Sequence, residues 1–302
     1  MVAHPITDPE VLAFIARVEA ATEAGAEADP EVQRRAYDAM AAHFRVARPA
    51  GVVVEDTTLS RVRVRHYRPP TLRHPVRVLY CHGGGFVVGS LESHDDVCAE
   101  IAVATGCALT AVDYRLAPEH SHPAAFEDAL AVARATLEEA PVVLTGDSAG
   151  GTLAAALALA LKGEAVRGQV LIYPGLGGRA LGLASYHENA EAPLLTTADV
   201  DAYRGIYGGE DDPGFYVLTA PDLRGLAPCF ASGAAVDPLR DDAVDYVRRL
   251  KECGIAATCT VEAQLPHMWL RARHTSVRAQ AAFARVCRAI EGFAAQAPLN
   301  AG

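Results

Sequence analysis

Two short glycine-rich runs, about sixty residues apart, carry residue types suited to acyl-transfer chemistry. The run GDSAG at 146–150 follows the apolar segment 141–145 and precedes the helix-forming segment 151–162. A serine in a sharp turn between a strand and a helix projects its hydroxyl above the sheet edge. The N–H groups and the positive dipole end of the following helix then face the point where negative charge develops. Ser148 is therefore predicted to be a nucleophile.

The second run, HGGG at 82–85, supplies the matching half of such a centre. It follows the apolar segment 76–81, which has the character of a strand. Consecutive glycines allow main-chain N–H groups to approach a substrate carbonyl without interference from a Cβ atom. The run therefore predicts an oxyanion hole, and the two runs together predict acyl transfer.

A serine nucleophile needs a base, and three histidines follow Ser148. A serine hydroxyl reacts poorly near neutral pH unless a base, itself oriented by a carboxylate, takes its proton. His187 lies in a segment with no clear strand, and His274 opens the predicted last helix. His267 follows a predicted strand and a short loop at 263–266, from which it could reach back over the serine. His267 is therefore the predicted base.

The carboxylate that orients the base is expected between the serine and the histidine, because acid and base follow the serine in that order in proteins with this turn. Asp237 follows the apolar segment 228–233, at the carboxyl end of a predicted strand. Asp241 and Asp242 come one turn later, at the start of a predicted helix, whose N-terminus they would stabilise. Asp237 is the predicted acid.

Short apolar segments alternate with helical ones, which predicts an α/β fold with a mostly parallel central sheet flanked by helices. The predicted strands are 52–58, 61–68, 76–81, 107–113, 141–145, 168–173, 228–233 and 257–262. The predicted helices are 9–24, 31–44, 93–105, 123–139, 151–162, 238–253 and 274–295. The proposed catalytic groups follow predicted strands, and the carboxyl ends of strands are where such folds bind ligands.

The segment at about 177–215 fits the alternation poorly, and about 1–45 precedes the alternation with two predicted helices. We expect them to form a helical cap over the catalytic edge of the sheet. The chain has 302 residues, of which 51% are hydrophobic, and it contains no linker rich in Gly, Ser or Pro. A single domain over 1–302 is therefore predicted.

Composition excludes several classes of partner. The net charge of −10 argues against nucleic acid and anionic membranes. Seven cysteines without CxxC pairing predict free thiols in a reducing compartment. The first residues lack a basic segment with an apolar core behind it, and the longest apolar stretch, 153–161, is half a membrane span. A cytoplasmic protein is expected.

The motifs closely resemble those of the hormone-sensitive-lipase-like branch of the α/β-hydrolases, the bacterial family IV esterases. The resemblance covers about 75–290. It rests on four runs in order: HGGG at 82–85, DYRLAPEH at 113–120, GDSAGG at 146–151 and DPLRD at 237–241. The resemblance implies the α/β-hydrolase fold, with Ser148 as nucleophile, His267 as base and then acid, and Asp237 as its orienter.

The resemblance also implies an oxyanion hole made by the N–H groups of Gly84, Gly85 and Ala149. His82 would brace the glycine loop, and the chemistry would require no metal or organic cofactor. One departure is Gln264, because the family commonly has glycine three residues before the base.

Other residues beside the motifs have less direct roles. Phe86 and Trp269 are candidates for lining the substrate pocket, Trp269 because it closely follows His267. Asp147, Arg115 and Glu119 are expected to brace loops through hydrogen bonds or ion pairs.

The function implied by the resemblance is hydrolysis of short- to medium-chain acyl esters through an acyl-enzyme, with a small-molecule ester as the partner. A deacetylase, an amidase or a lactonase acting on one metabolite could use the same centre. A non-catalytic small-molecule receptor on the same fold is a further alternative. The resemblance also suggests a homodimer through the last strand, 257–262, although the terminal helix could cover that edge instead.

Overall fold

The computed structural model describes residues 5–22, 29–209 and 212–296. The end of the first predicted helix (23–24) and parts of the predicted cap and domain lie outside the described residues, namely 1–4, 23–28, 210–211 and 297–302.

Within these described ranges, eight strands form one mixed sheet. They are β1 (Val53–Leu59), β2 (Val62–Arg68), β3 (Arg77–Cys81), β4 (Ala108–Val112), β5 (Val142–Asp147), β6 (Val166–Ile172), β7 (Cys229–Val236) and β8 (Ala257–Pro266). Their order across the sheet is β1-β2-β4-β3-β5-β6-β7-β8. β2 is antiparallel to both β1 and β4. The other six strands, β3 to β8, run parallel to one another. The predicted mostly parallel sheet is confirmed.

Helices cover both faces of the sheet. They are α1 (Pro9–Ala21), α2 (Pro30–Ala42), α3 (Asp95–Thr105), α4 (Ala124–Glu139), α5 (Ala149–Ala160), α6 (Ser185–Glu188), α7 (Thr197–Tyr207), α8 (Arg240–Glu252) and α9 (Val277–Ala294). Buried side chains of α4, α5 and α8 share one apolar core, and those of α1, α3 and α9 share the other. The parallel strands β3 to β7 are thereby largely removed from water on both faces.

The first helix begins where the sequence predicts. The Asp8 carboxylate accepts hydrogen bonds from the N–H groups of Glu10 and Val11, and Pro9 occupies the first turn. Such a cap satisfies donors that have no partner within the helix. Phe14 on the buried face packs edge-on against Phe44, with ring centroids 5.4 Å apart, which joins α1 to the segment after α2.

The last strand is longer than predicted. Residues 263–266, expected as a loop, belong to β8, which pairs with β7 up to the couple Val236–Pro266. Between the couples Ala234–Glu262 and Val236–Pro266, β7 advances by two residues and β8 by four. The surplus residues form a bulge. A strand is recognised in sequence by its two-residue alternation, and a bulge interrupts that alternation, so this end of β8 resembles a loop.

Helix α9 begins at Val277 instead of residue 274, because the Ser276 hydroxyl accepts a hydrogen bond from the N–H group of Ala279 and caps the helix there. All seven cysteines are free thiols, and five of them are buried. Within the described ranges, no helix combines the length and the apolar character needed to cross a bilayer.

Candidate active site

Ser148 lies in a strained turn between β5 and α5. Its φ of 53° falls in the left-handed region, which side-chain-bearing residues rarely adopt. Gly146 and Gly150 permit this turn, because a Cβ atom on either would collide with the Cys81 carbonyl oxygen. The β5–turn–α5 arrangement is the context that makes the GDSAG run a nucleophile turn.

Three side chains from different strand ends meet at this turn. Ser148 follows β5, Asp237 follows β7 and His267 follows β8. The Ser148 Oγ lies 3.0 Å from Nε2 of His267, whose Nδ1 lies 2.7 Å from Oδ2 of Asp237. With the proton on Nδ1, the imidazole donates to Asp237 and accepts from Ser148. The structure therefore brings the three residues together in the order required for general-base activation of a hydroxyl.

Asp237 is held in place by its surroundings. It is fully buried, and its Oδ1 accepts a hydrogen bond of 2.8 Å from the N–H group of Leu239. The Asn189 amide donates to its main-chain carbonyl at 3.0 Å. The second carboxylate oxygen is thereby directed at His267.

The glycine loop after β3 lies beside Ser148. Gly84 and Gly85 have φ values of 125° and 59°, and both line the same cavity as Ser148 and Ala149. Ala149 is the first residue of α5, whose first N–H groups have no partner within the helix. The three residues predicted to form the oxyanion hole thus line one cavity.

Comparison with known proteins decides the family. A family profile for the alpha/beta hydrolase fold matches residues 78–271. An ethyl acetate hydrolase of Pseudomonas putida is 32% identical, over 87% of this chain and 92% of its own length. The chain belongs to the hormone-sensitive-lipase-like branch of the α/β-hydrolases. It is a carboxylesterase-type enzyme.

Two further relatives agree with this assignment. Esterase LipI of Mycobacterium tuberculosis is 39% identical to this esterase over 64% of the chain, and the match covers 66% of LipI. The crystal structure of an esterase from the bacterial hormone-sensitive lipase family has a TM-score of 0.86 at 28% identity, over 95% of this chain and 98% of that one.

The cavity of the esterase spans about 850 Å³ of space between atoms, the open solvent at its mouth included. Its walls are largely apolar and aromatic. Away from the proposed triad and oxyanion loop they include Tyr37, Phe86, Tyr186, Leu194, Leu195, Val200, Tyr203, Tyr216, Leu239 and Met268. Phe86, a predicted pocket residue, lies in this wall and stacks on Tyr207 at 4.1 Å between centroids.

The prediction that Trp269 lines the pocket is wrong. Its side chain is completely buried and packs edge-on against Tyr173, with centroids 5.6 Å apart. Met268 adopts a left-handed conformation, with φ of 61°, and starts a 3-10 turn at Trp269–Ala272. This turn sends the indole into the core and leaves Met268 at the cavity.

Several residues of the cavity wall come from outside the sheet, and the sequence motifs do not predict them. Tyr37 belongs to α2, and Tyr203 belongs to α7, where its ring lies directly over Gly85. The spacing of apolar residues along each helix indicates which face of the helix is packed. What that face covers depends on how the helix docks.

Gly85→Ala should lower kcat about 10²- to 10³-fold, the effect of losing one oxyanion donor. A methyl group there would collide with the Tyr203 ring, and φ of 59° already disfavours a side chain. Steady-state kinetics would measure the loss. Gly163→Ala is the matched control, because Gly163 has φ of 88° with no atom within 4 Å of an added Cβ. It should lose some stability and keep kcat, and an unchanged kcat in Gly85→Ala would contradict the assignment.

Asp147 joins the serine turn to the glycine loop. Its carboxylate accepts hydrogen bonds from the Gly83 N–H group at 3.0 Å and the Tyr80 hydroxyl at 2.7 Å, with His94 Nε2 at 3.3 Å. Burial alone would raise the pKa of Asp147, but His94 and the hydroxyl of Tyr80 hold it below its usual range. The side chain therefore points away from Ser148 and braces the loop, as the sequence indicated.

His82 also braces this loop. Its Nδ1 donates to the Gly83 carbonyl at 2.8 Å, and its ring stacks on Tyr114 with centroids 4.3 Å apart. Burial lowers the pKa of His82 to about 3, so the imidazole stays neutral. Among the described residues, its Nε2 has no hydrogen-bond partner, and a proton added there would find no acceptor.

The depressed pKa of His82 predicts acid sensitivity. Below the ordinary histidine pKa of 6.5 the unfolded chain takes up a proton, whereas the folded protein does not until about pH 3. The stabilisation from this group is present above pH 6.5 and declines as the pH falls. Between about pH 7 and about pH 5 the free energy of unfolding should drop by about 2 kcal/mol from this group alone. Urea titrations should show a smaller drop in His82→Gln, and an equal drop would contradict the assignment.

The other two residues predicted to brace loops, Arg115 and Glu119, form ion pairs. Arg115 pairs with Asp128 at 2.9 Å, and Glu119 pairs with Arg34 of α2 at 2.6 Å, which confirms their predicted bracing role. Arg34 also donates to the Val87 carbonyl, so α2 is attached close to the glycine loop.

Asp241 and Asp242 lie in the first turn of α8, as predicted, but their side chains bind other segments. Asp242 accepts hydrogen bonds from the N–H groups of Leu176 and Gly178, and Asp241 accepts one from Ser185. Neither lies in the cavity wall.

Proposed function

We propose that this esterase hydrolyses short- to medium-chain acyl esters through a Ser148–His267–Asp237 triad and an acyl-enzyme. The observation that carries the proposal is the continuous hydrogen-bond chain from the Ser148 hydroxyl to the buried Asp237 carboxylate, at 3.0 and 2.7 Å. Buried catalytic groups joined at such distances form a preorganised base for a hydroxyl nucleophile.

In the acylation half, the Ser148 oxygen attacks the ester carbonyl carbon while its proton passes to Nε2 of His267. The carbonyl electron pair moves onto the oxygen, which the N–H groups of Gly84, Gly85 and Ala149 stabilise. Collapse of this intermediate breaks the bond to the alcohol oxygen, and the alcohol leaves with the proton from His267. The acyl group remains bonded to the Ser148 oxygen, which is the acyl-enzyme.

In the deacylation half, water replaces the alcohol. His267 takes a proton from the water, whose oxygen attacks the acyl carbon, and the same amides stabilise the second oxyanion. Collapse breaks the bond to Ser148, which recovers its proton from His267, and the carboxylic acid leaves. Asp237 stabilises the imidazolium that forms in each half without taking its proton.

The cavity wall supports the proposed preference for short chains. We propose that the helices within 1–45 and 177–215 act as a cap, because Tyr37 of α2 and Tyr203 of α7 line the cavity and the Tyr203 ring lies over Gly85. Bulky aromatic rings in the wall of the cavity that contains Ser148 favour a short acyl chain. The relative named as an ethyl acetate hydrolase supports a small acyl group.

A chain-length series tests the substrate class. p-Nitrophenyl esters from acetate to palmitate should give a maximum of kcat/KM among the shorter chains, without activation by emulsified substrate. A maximum at palmitate with interfacial activation would contradict the proposal. Acetylated amines and lactones assayed in parallel distinguish the amidase and lactonase alternatives, which would use the same triad. Covalent labelling by a fluorophosphonate would argue against the alternative of a non-catalytic receptor.

The homodimer stays a prediction. β8 is the edge strand of the sheet, and its Val261 side chain is 40% exposed.

A further inference from the structure

We propose that Gln264 is a positioning residue for the catalytic base: it holds the bulge of β8 that brings His267 beside Asp237, and it uses the N-terminal segment as its anchor. This inference rests on the proposed function, in which His267 is the base.

The bulge determines which residue faces Asp237. The couple Ala234–Glu262 would, in an unbroken parallel register, place Val236 opposite Gln264. Asp237 would then stand next to Leu265. Because of the two surplus residues, Val236 instead pairs with Pro266, and the next residues along the two strands are Asp237 and His267. A shift of register moves every following side chain, so the 2.7 Å contact of the acid with the base depends on this bulge.

Gln264 lies within the bulge in a conformation that its residue type disfavours. Its φ is 67°, in the left-handed region that glycine adopts readily and residues with a Cβ atom do not. Something must compensate for this strain, because relaxation of the main chain here would change the register ahead of His267.

The side chain of Gln264 supplies the compensation. Its Oε1 accepts hydrogen bonds from the N–H group of Thr7 at 2.5 Å, the Thr7 hydroxyl at 3.2 Å and the N–H group of Asp8 at 3.2 Å. Its Nε2 donates to the Pro5 carbonyl at 3.3 Å. One side chain thus binds three residues more than 250 positions away in sequence.

The anchor is itself fixed to the fold. Asp8 caps α1 and pairs with Arg278 of α9 at 2.6 Å, while Phe14 and its neighbours on α1 are buried. The N-terminal segment is therefore a fixed point against which Gln264 can hold the bulge.

Two substitutions at the same position test the idea. Gln264→Ala removes the hydrogen bonds but keeps a Cβ atom, so the bulge should relax, and kcat per active site should fall about tenfold with KM little changed. Gln264→Gly also removes the hydrogen bonds, but glycine accepts positive φ without help. Its kcat should stay within about twofold of the original. Active sites would be counted by fluorophosphonate titration, well below the unfolding temperature.

Arg278→Ala provides a control, because it removes only the half-exposed ion pair of Asp8 with α9, while the buried face of α1 and the hydrogen bonds of Gln264 keep the N-terminal segment in place. It should lower the unfolding temperature and keep kcat. The inference is overturned if Gln264→Ala keeps the original kcat, if the alanine and glycine variants lose kcat equally, or if Arg278→Ala loses as much as Gln264→Ala. His267→Ala separates this from the proposed function: unchanged activity in that variant refutes the triad itself, whereas its loss beside a normal Gln264→Ala refutes only the role of Gln264.

Discussion

Ser148→Ala should lower kcat for p-nitrophenyl acetate by about a millionfold, the loss expected when the nucleophile of a serine triad is removed. The hydroxyl oxygen forms the covalent bond of the acyl-enzyme, and the remaining groups cannot replace it. The fold should survive for two reasons. The hydroxyl that is removed contacts the proposed base, His267, and alanine adopts the positive φ of this turn about as well as serine. Steady-state hydrolysis and circular dichroism would measure the two effects.

Ser276→Ala is the matched control for this substitution. Ser276 is a buried serine that caps α9 and lies outside the cavity wall. Its replacement should cost about 1 kcal/mol of stability, as for other lost helix caps, and should leave kcat unchanged. Near-normal turnover in Ser148→Ala would show that another residue attacks the ester.

Asp237→Asn should lower kcat by about 10⁴-fold with little change in structure. The asparagine has the same shape, and its oxygen can still accept from the Leu239 N–H group. Its amide would then point at Nδ1 of His267 and donate to it. The imidazole proton would move to Nε2, where it blocks acceptance of the Ser148 proton. Kinetics per titrated active site would measure the loss.

The appropriate comparison is Asp241→Asn, four residues along the chain. Asp241 pairs with Arg240 and accepts from the Ser185 N–H group, without contact to the imidazole. Its kcat should stay within a few-fold of the original protein. A large loss in Asp241→Asn together with a small one in Asp237→Asn would exchange the roles of the two carboxylates.

The parts of the fold that the sequence predicts well are those fixed by local chemistry. The serine turn needs small residues at 146 and 150 because main-chain atoms approach there, and this need appears directly in the sequence. The strand positions likewise follow from runs of apolar residues, which bury both faces of a parallel sheet. Ser148, Asp237 and His267 follow such runs, so their meeting at one sheet edge could be expected.

The features of the fold and the site that the sequence does not predict depend on contacts between distant segments. The bulge in β8 is stabilised by Gln264 reaching Pro5 and Thr7, which no local pattern can reveal. The direction of Trp269 depends on the left-handed main chain at Met268, a residue type that seldom adopts it. The presence of Tyr203 over Gly85 depends on how α7 docks.

The most direct test of the catalytic centre is a crystal structure of the esterase inactivated with a fluorophosphonate. The phosphorus should be bonded to Oγ of Ser148, with a phosphonyl oxygen within hydrogen-bond distance of the N–H groups of Gly84, Gly85 and Ala149. The His267 imidazole should remain between the adduct and Asp237. An adduct on another side chain, or a phosphonyl oxygen directed away from these amides, would contradict the proposed mechanism.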